Sequence, residues 1–168
     1  FLLPYKPVEP EKIQRMLEAA RIASHWGNVQ SLRAVAVFRD SATPEVLEAL
    51  MAPIAGFQIR LAPVVIVWFL DTTAVDEQSD RLRELLGVGA RGSGEGKHKA
   101  LEEQLIPIFR SITDKLKEPG LNEVDCGQGI AQATLMAFEQ GLGTCCLGTP
   151  HTEKLRKNLN LPETARVL

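Results

Sequence analysis

Apolar residues recur along this chain in two periods, which separate its helices from its strands. Ile13, Met16, Leu17 and Ala20 follow the i, i+3, i+4, i+7 spacing of one buried helical face. Pro10 takes the favourable first-turn position of that helix, with Glu9 and Glu11 beside it. Ala34 to Phe38 reads as a strand that ends at an Asp40-Ser41 turn. Thr43 is placed to cap a second helix, with Pro44 in its first turn and Leu47, Leu50, Met51 and Ile54 on one side. Pro63 to Leu70 is apolar at nearly every position and rich in Val and Ile, the pattern of a central strand covered on both faces.

The second half is more helical. Asp76 to Leu86 reads as a charged surface helix. Gly87 to Lys97 carries five glycines, which resist ordering and predict a mobile loop. Leu101, Leu105, Phe109, Ile112 and Leu116 form a long helical stripe, and Pro107 inside it predicts a kink. Val124 to Gln140 is rich in small residues, with Ile130, Leu135 and Phe138 expected in the core and Gly141 as its C-cap. Thr144 to Leu147 is expected as a short strand. Thr149-Pro150 should start a last helix carrying Leu155 and Leu159. The order of elements predicts an α+β sandwich, one central sheet flanked by helices.

At 168 residues the chain is long enough for one domain with a real core. It reads as cut at both ends, opening on Phe1-Leu2-Leu3-Pro4 and stopping on Ala165 to Leu168 as a strand begins. A net charge of −2 without a basic stripe argues against a nucleic-acid surface. The longest apolar run, Ala62 to Leu70, is far short of a membrane span. Cys145 and Cys146 are neighbours, so no disulfide framework is expected and a reducing cytoplasm is. Cys126 and Cys145 read as small core residues.

Several motifs fail on context. Gly87-Val88-Gly89-Ala90-Arg91-Gly92 fits G-x-G-x-x-G, but a helix precedes it where a dinucleotide fingerprint needs a strand. Cys145, Cys146 and His151 match no common zinc spacing, so no metal site is assigned. Glu102 and Glu103 point to different sides of a helix and read as a solvated face. No Ser-His-Asp or G-x-S-x-G arrangement is visible, and no catalytic side chain is assigned.

The segment from Ala23 to Arg33 remains. Gly27-Asn28 is a turn dipeptide crowded by His25, Trp26 and Gln30. It is either a helix-to-strand connector with a partly buried Trp or a recognition surface. An amide offers donor and acceptor on one plane, which suits the edge of a heteroaromatic ring, and a Trp offers a flat apolar face.

Gly27-Asn28-x-Gln30-x-x-Arg33, followed by Ala34-Val35-Ala36-Val37, resembles a signature of the nitroreductase-like flavoprotein family. Ala62-Pro63-Val64-Val65-Ile66-Val67 resembles a second block. Asp125-x-Gly127, leading through Ala137 to Gly141-Leu142-Gly143-Thr144-Cys145, then Leu147-Gly148 and Leu161-Pro162-Glu163, resembles a third. The blocks stand in family order and span most of the chain. The resemblance implies a nitroreductase-like α+β sandwich with a mostly antiparallel sheet, one such domain over residues 1–168, and an intertwined homodimer. It implies flavin mononucleotide (FMN) in the crevice between the two chains.

Carried over residue by residue, Ser24, His25, Trp26 and Asn28 would line the cofactor, with Gln30 close by or reaching across the dimer. Cys146, Leu147 and Gly148 would supply backbone contacts near the flavin N5. The glycine loop at 87–97 would cover the substrate side. The implied activity is that of an oxidoreductase passing electrons from NAD(P)H through flavin to a small planar acceptor such as a nitro compound, quinone or enone. The chain departs from the pattern in its phosphate clamp. The N-terminal arginines would fall near Phe1 to Leu3, where none stands, and the C-terminal base would lie past Leu168. The alternative is a flavin-poor or non-enzymatic relative that holds some other flat ligand against Trp26.

Overall fold

The structure is a computed structural model that describes residues 6–51, 56–149 and 151–168. Three strands, β1 (Leu32–Phe38), β2 (Val64–Asp71) and β3 (Ala165–Val167), form an antiparallel sheet in the order β1-β2-β3. The apolar run after Pro63 takes the central place. Leu32 lies opposite Leu70 and Phe38 opposite Val64, so β1 is paired along its whole length.

Side chains alternate across this sheet with the period of two that a pleated strand imposes. Val35, Val37, Val65 and Val67 face one core, with Ala49 and Leu50 of α2 (Pro44–Leu50), Ile59 of α3 (Gly56–Leu61) and Leu155 of a later helix. Ala36, Phe38, Val64, Ile66 and Trp68 face the other, against Ile13, Met16 and Ala20 of α1 (Pro10–Arg21). Thr43 caps α2 as expected, its hydroxyl accepting from the Val46 N–H at 3.4 Å.

The third core lies under a helical hairpin. One arm is α4 (Gln78–Gly87). The other runs through α5 (Glu95–Ala100), a π-turn at Leu101–Leu105 and α6 (Ile106–Ser111). Leu82, Leu86, Leu101, Ile106 and Phe109 meet there around a fully buried Val29. Pro107 disrupts the stripe as expected. It has no N–H to bond back to residue 103, and the wider π-turn just before it absorbs the misfit. Arg83 joins Glu102 across the arms at 2.7 and 2.9 Å. The segment between Gly87 and Glu95 is the hairpin tip, with Gly89, Gly92 and Gly94 at positive φ, while Glu95–Lys97 already belongs to α5.

After α7 (Thr113–Lys117) comes α8 (Leu121–Glu139), the long helix against α1. Its inner face is Cys126, Gly129, Ala133 and Ala137. The contact is close: a Cβ on Gly129 would stand 3.2 Å from the Ala20 carbonyl and 2.5 Å from Leu32 Cδ2. Leu142 N–H returns to the Ala137 carbonyl and Gly141 N–H to that of Phe138, both at 2.9 Å, closing α8 where its glycine predicted. The last helix, α9 (Thr152–Asn158), leads to β3.

Three expectations are corrected, and one helix is added. Leu135 and Phe138 are 69% and 81% exposed and Ile130 is half-buried, because the small residues of α8 face α1 instead. Thr144 to Leu147 forms no strand; it is exposed, and no ladder partner lies beside it among the described residues. Cys145 is exposed with it, whereas Cys126 is buried as expected. The helix α3 was not expected at all, being six residues long and opened by a glycine. Ile54, and Pro150 as the opening residue of the last helix, lie outside the described residues.

Candidate functional site

The segment that follows α1 is built on three buried pegs. Ala23, Val29 and Ser31 point into the protein, and the residues between them stay near the surface. Ser24 and Gln30 are exposed, His25 and Asn28 are half-buried, and Trp26 is 38% exposed. The backbone bends through a tight 3₁₀ turn, Trp26–Asn28, with φ near +55° at Gly27, Asn28 and Gln30. Gly27 is required there on two grounds. The left-handed conformation suits glycine, and a Cβ would stand 2.1 Å from Gln78 Nε2 and 2.8 Å from the Phe109 ring.

Side chains from three distant elements hold this turn. Asp125 of α8, buried, accepts the Trp26 N–H at 2.6 Å. Gln78 of α4, also buried, donates to the Gly27 carbonyl at 3.0 Å. Arg81 of α4 donates to the Val29 carbonyl at 2.9 Å. The Trp26 ring meets Phe109 of α6 edge to face, 4.9 Å between centroids. His25 Nδ1 lies 2.9 Å from the Ala23 carbonyl, which can only accept, so Nδ1 carries the proton. Its Nε2 is buried, with no hydrogen-bond partner among the described residues. Beneath the turn, Ser31 Oγ and Cys126 Sγ are 3.7 Å apart. Burial pushes the Cys126 thiol up to about 11, so it is inert at neutral pH.

Gln30 Nε2 donates to Asn28 Oδ1 at 2.8 Å, and Arg81 donates to Gln30 Oε1 at 3.4 Å. Asn28 Nδ2 has no acceptor among the described residues. Ser24 through Gln30 thus gather in one structure. Cys146, Leu147 and Gly148 lie in the exposed segment after α8, and among the described residues no hydrogen bond joins them to the turn. Among the described residues a Cβ on Gly143 or Gly148 would meet nothing within 4 Å, which leaves the backbone there open to an approaching group. A separate polar cleft of about 160 Å³ borders the turn, lined among others by Gln78, Ser79, Phe109 and Arg110.

Four residues that hold the turn were not expected there: Gln78, Arg81, Phe109, read only as part of an apolar stripe, and Asp125, read only as the start of the third block. Gln78 had a signal of its own. Gln78 is in phase with Leu82 and Leu86 at i, i+4, i+8, and so belongs to the buried face of its helix.

The sandwich is that of a known class. The sequence model of the Nitroreductase family matches residues 3–168, and the chain belongs to that family, one of oxidoreductases. No curated protein matches it. Among solved structures, a nitroreductase family protein from Streptococcus pneumoniae is 24% identical, with 98% of this chain and 79% of that one covered at a TM-score of 0.66. An Exiguobacterium sibiricum protein, provisionally named a nitroreductase and in complex with FMN, is 19% identical at TM-score 0.67, covering 98% and 76%. CLA-ER, an enone reductase of gut-bacterial fatty acid saturation, is 19% identical at TM-score 0.74, covering 99% and 77%. At such identities the likeness establishes the fold.

Proposed function

We propose that the protein is an FMN-dependent oxidoreductase that takes electrons from NAD(P)H and delivers them to a small planar acceptor such as a nitro compound, quinone or enone. The observation that carries this reading is the turn itself. A half-exposed Trp26 is fixed edge-on by Phe109, beside an Asn28 amide whose donors meet no acceptor among the described residues. That combination fits a flat heteroaromatic ring with carbonyl groups on its edge.

FMN fits the ring-binding half of the site. Ser24, His25, Trp26, Asn28 and Gln30 would hold it from one side, and the open backbone of Cys146, Leu147 and Gly148 would approach its reactive edge. When bound, FMN supplies two-electron chemistry, and the protein's part is to orient it and exclude competing reactions. The family's N-terminal phosphate clamp corresponds to residues 1–3, outside the described residues. The reading needs no acid or base side chain.

A homodimer belongs to the same proposal. Val124, Leu135 and Phe138 lie at i, i+11 and i+14 on the outer face of α8, all exposed. An apolar helical stripe of this kind marks an interaction surface. The free thiols of Cys145 and Cys146 are exposed, which suits the reducing cytoplasm. No helix among the described residues is long and apolar enough to cross a membrane.

The test is direct. Freshly purified protein is expected to be yellow or to bind added FMN, to bleach with NADH or NADPH, and to sediment as a dimer. A colourless protein that leaves FMN fluorescence unchanged at high concentration would refute the flavin reading. A stable monomer at micromolar concentration would remove the shared crevice.

A further inference from the structure

The hydrogen bonds around Asn28 run in one direction. Arg81 begins the series, and a guanidinium can donate but never accept. Its position is firm: the Arg81 side chain is only 18% exposed, Nη2 pairs with Glu77 at 2.7 Å and Nη1 donates to the Val29 carbonyl at 2.9 Å. Nη1 also faces Gln30 at 3.4 Å, so the Gln30 atom turned toward it is the oxygen. The Gln30 amide nitrogen is then turned the other way, toward Asn28 at 2.8 Å. A nitrogen in that place needs an acceptor, so Asn28 turns its oxygen toward Gln30 and its NH₂ away from it. Two amides that each have two plausible orientations are reduced to one by a cation at the far end of the series.

We propose that Arg81, acting through Gln30, fixes Asn28 as a hydrogen-bond donor, so that the ligand group Asn28 meets is an acceptor, either a carbonyl oxygen or an unprotonated ring nitrogen. Arg81 and Gln30 are positioning residues, and Asn28 is the group that reads the ligand. The identity of the ligand as FMN rests on the function proposed above; the orientation of the amides does not.

The experiment uses the full chain with ¹⁵N label and observes the side-chain amide protons. In the ligand-free protein the Gln30 Nε2 protons are expected to exchange slowly and those of Asn28 Nδ2 fast. Gln30→Glu leaves only acceptors beside Asn28, so Asn28 is expected to turn round and its Nδ2 protons to become the protected pair. Arg81→Met is expected to give Asn28 two environments, and Arg81→Lys, again a pure donor, to restore one. A merely structural Arg81 would not move this pattern. FMN titration follows: Gln30→Glu is expected to weaken binding about tenfold, the value of one hydrogen bond of this kind. Protected Asn28 protons in the wild type, or a pattern indifferent to Gln30→Glu, would overturn the proposal. If the pattern holds and the wild type ignores FMN, the amide orientation stands and the flavin reading falls.

Discussion

Gly27→Ala is the substitution to which the turn should be most sensitive. Two effects add. Gly27 has φ +55°, and a left-handed conformation costs an L residue about 1–2 kcal/mol. The new Cβ would then stand 2.1 Å from Gln78 Nε2, so Gln78 must leave. Gln78 is buried, and its amide donates to the Gly27 carbonyl at 3.0 Å. A buried amide that loses its partner costs a further ~1–3 kcal/mol. The expected destabilisation is therefore ~2–5 kcal/mol. Urea unfolding of Gly27→Ala, Gln78→Ala and the double variant measures it. Because Gln78→Ala removes the nearer clash and leaves only the Phe109 ring at 2.8 Å, the double variant should be less unstable than the sum of the singles by about 1 kcal/mol or more. A single-variant loss below ~1 kcal/mol together with strict additivity would refute the packing argument.

Acid should act through Glu123. Burial raises its carboxyl, but the Gly120 N–H at 2.6 Å and the Arg166 guanidinium outweigh that and hold it below the ordinary 4.5. The unfolded chain therefore takes up this proton first, so the stability it contributes is complete above about pH 4.5 and is lost as pH falls through the folded value. Glu123→Gln should flatten that part of the stability profile; an unchanged slope would speak against it. Thiol labelling should modify Cys145 and Cys146 within minutes and spare Cys126, buried and pushed up to about 11, until the protein unfolds. The 87–97 segment is proposed to be mobile and to cover the substrate side, so its amides should exchange fast and slow when a substrate analogue binds. Exchange indifferent to every ligand would leave it a simple connection.

Much of the fold was legible because the signals are local. Thr43-Pro44, the period of α1 and the unbroken Val-Ile run of β2 each carry their meaning within ten residues. Thr144 to Leu147 misled because a strand is defined by its partner, and composition names none. Leu135 and Phe138 misled for a related reason. An α8 with small residues on one side and large apolar ones on another has two candidate inner faces, and only the close approach of Ala20 to Gly129 decides between them. The candidate site divides in the same way. Ser24 to Gln30 was visible as a cluster within one segment, whereas Asp125 and Gln78 reach it from positions 99 and 51 residues distant.

The hairpin has a root and a tip with different obligations. At the root, Gln78, Arg81 and Phe109 clasp the turn, so its helices cannot shift there without moving Trp26 and Asn28. From Gln78 to Gly87 the helix rises about 14 Å, at 1.5 Å per residue, before the chain turns back. Over that length Leu82, Leu86 and Leu101 are buried around Val29 and the Arg83–Glu102 pair joins the arms, whereas the tip from Gly87 to Glu95 is exposed throughout. The protein is modular at this point. The tip can be lengthened, shortened or exchanged with the root's grip on the turn intact; if it covers the substrate side as proposed, what enters beside Trp26 changes with it while the machinery beneath stays the same.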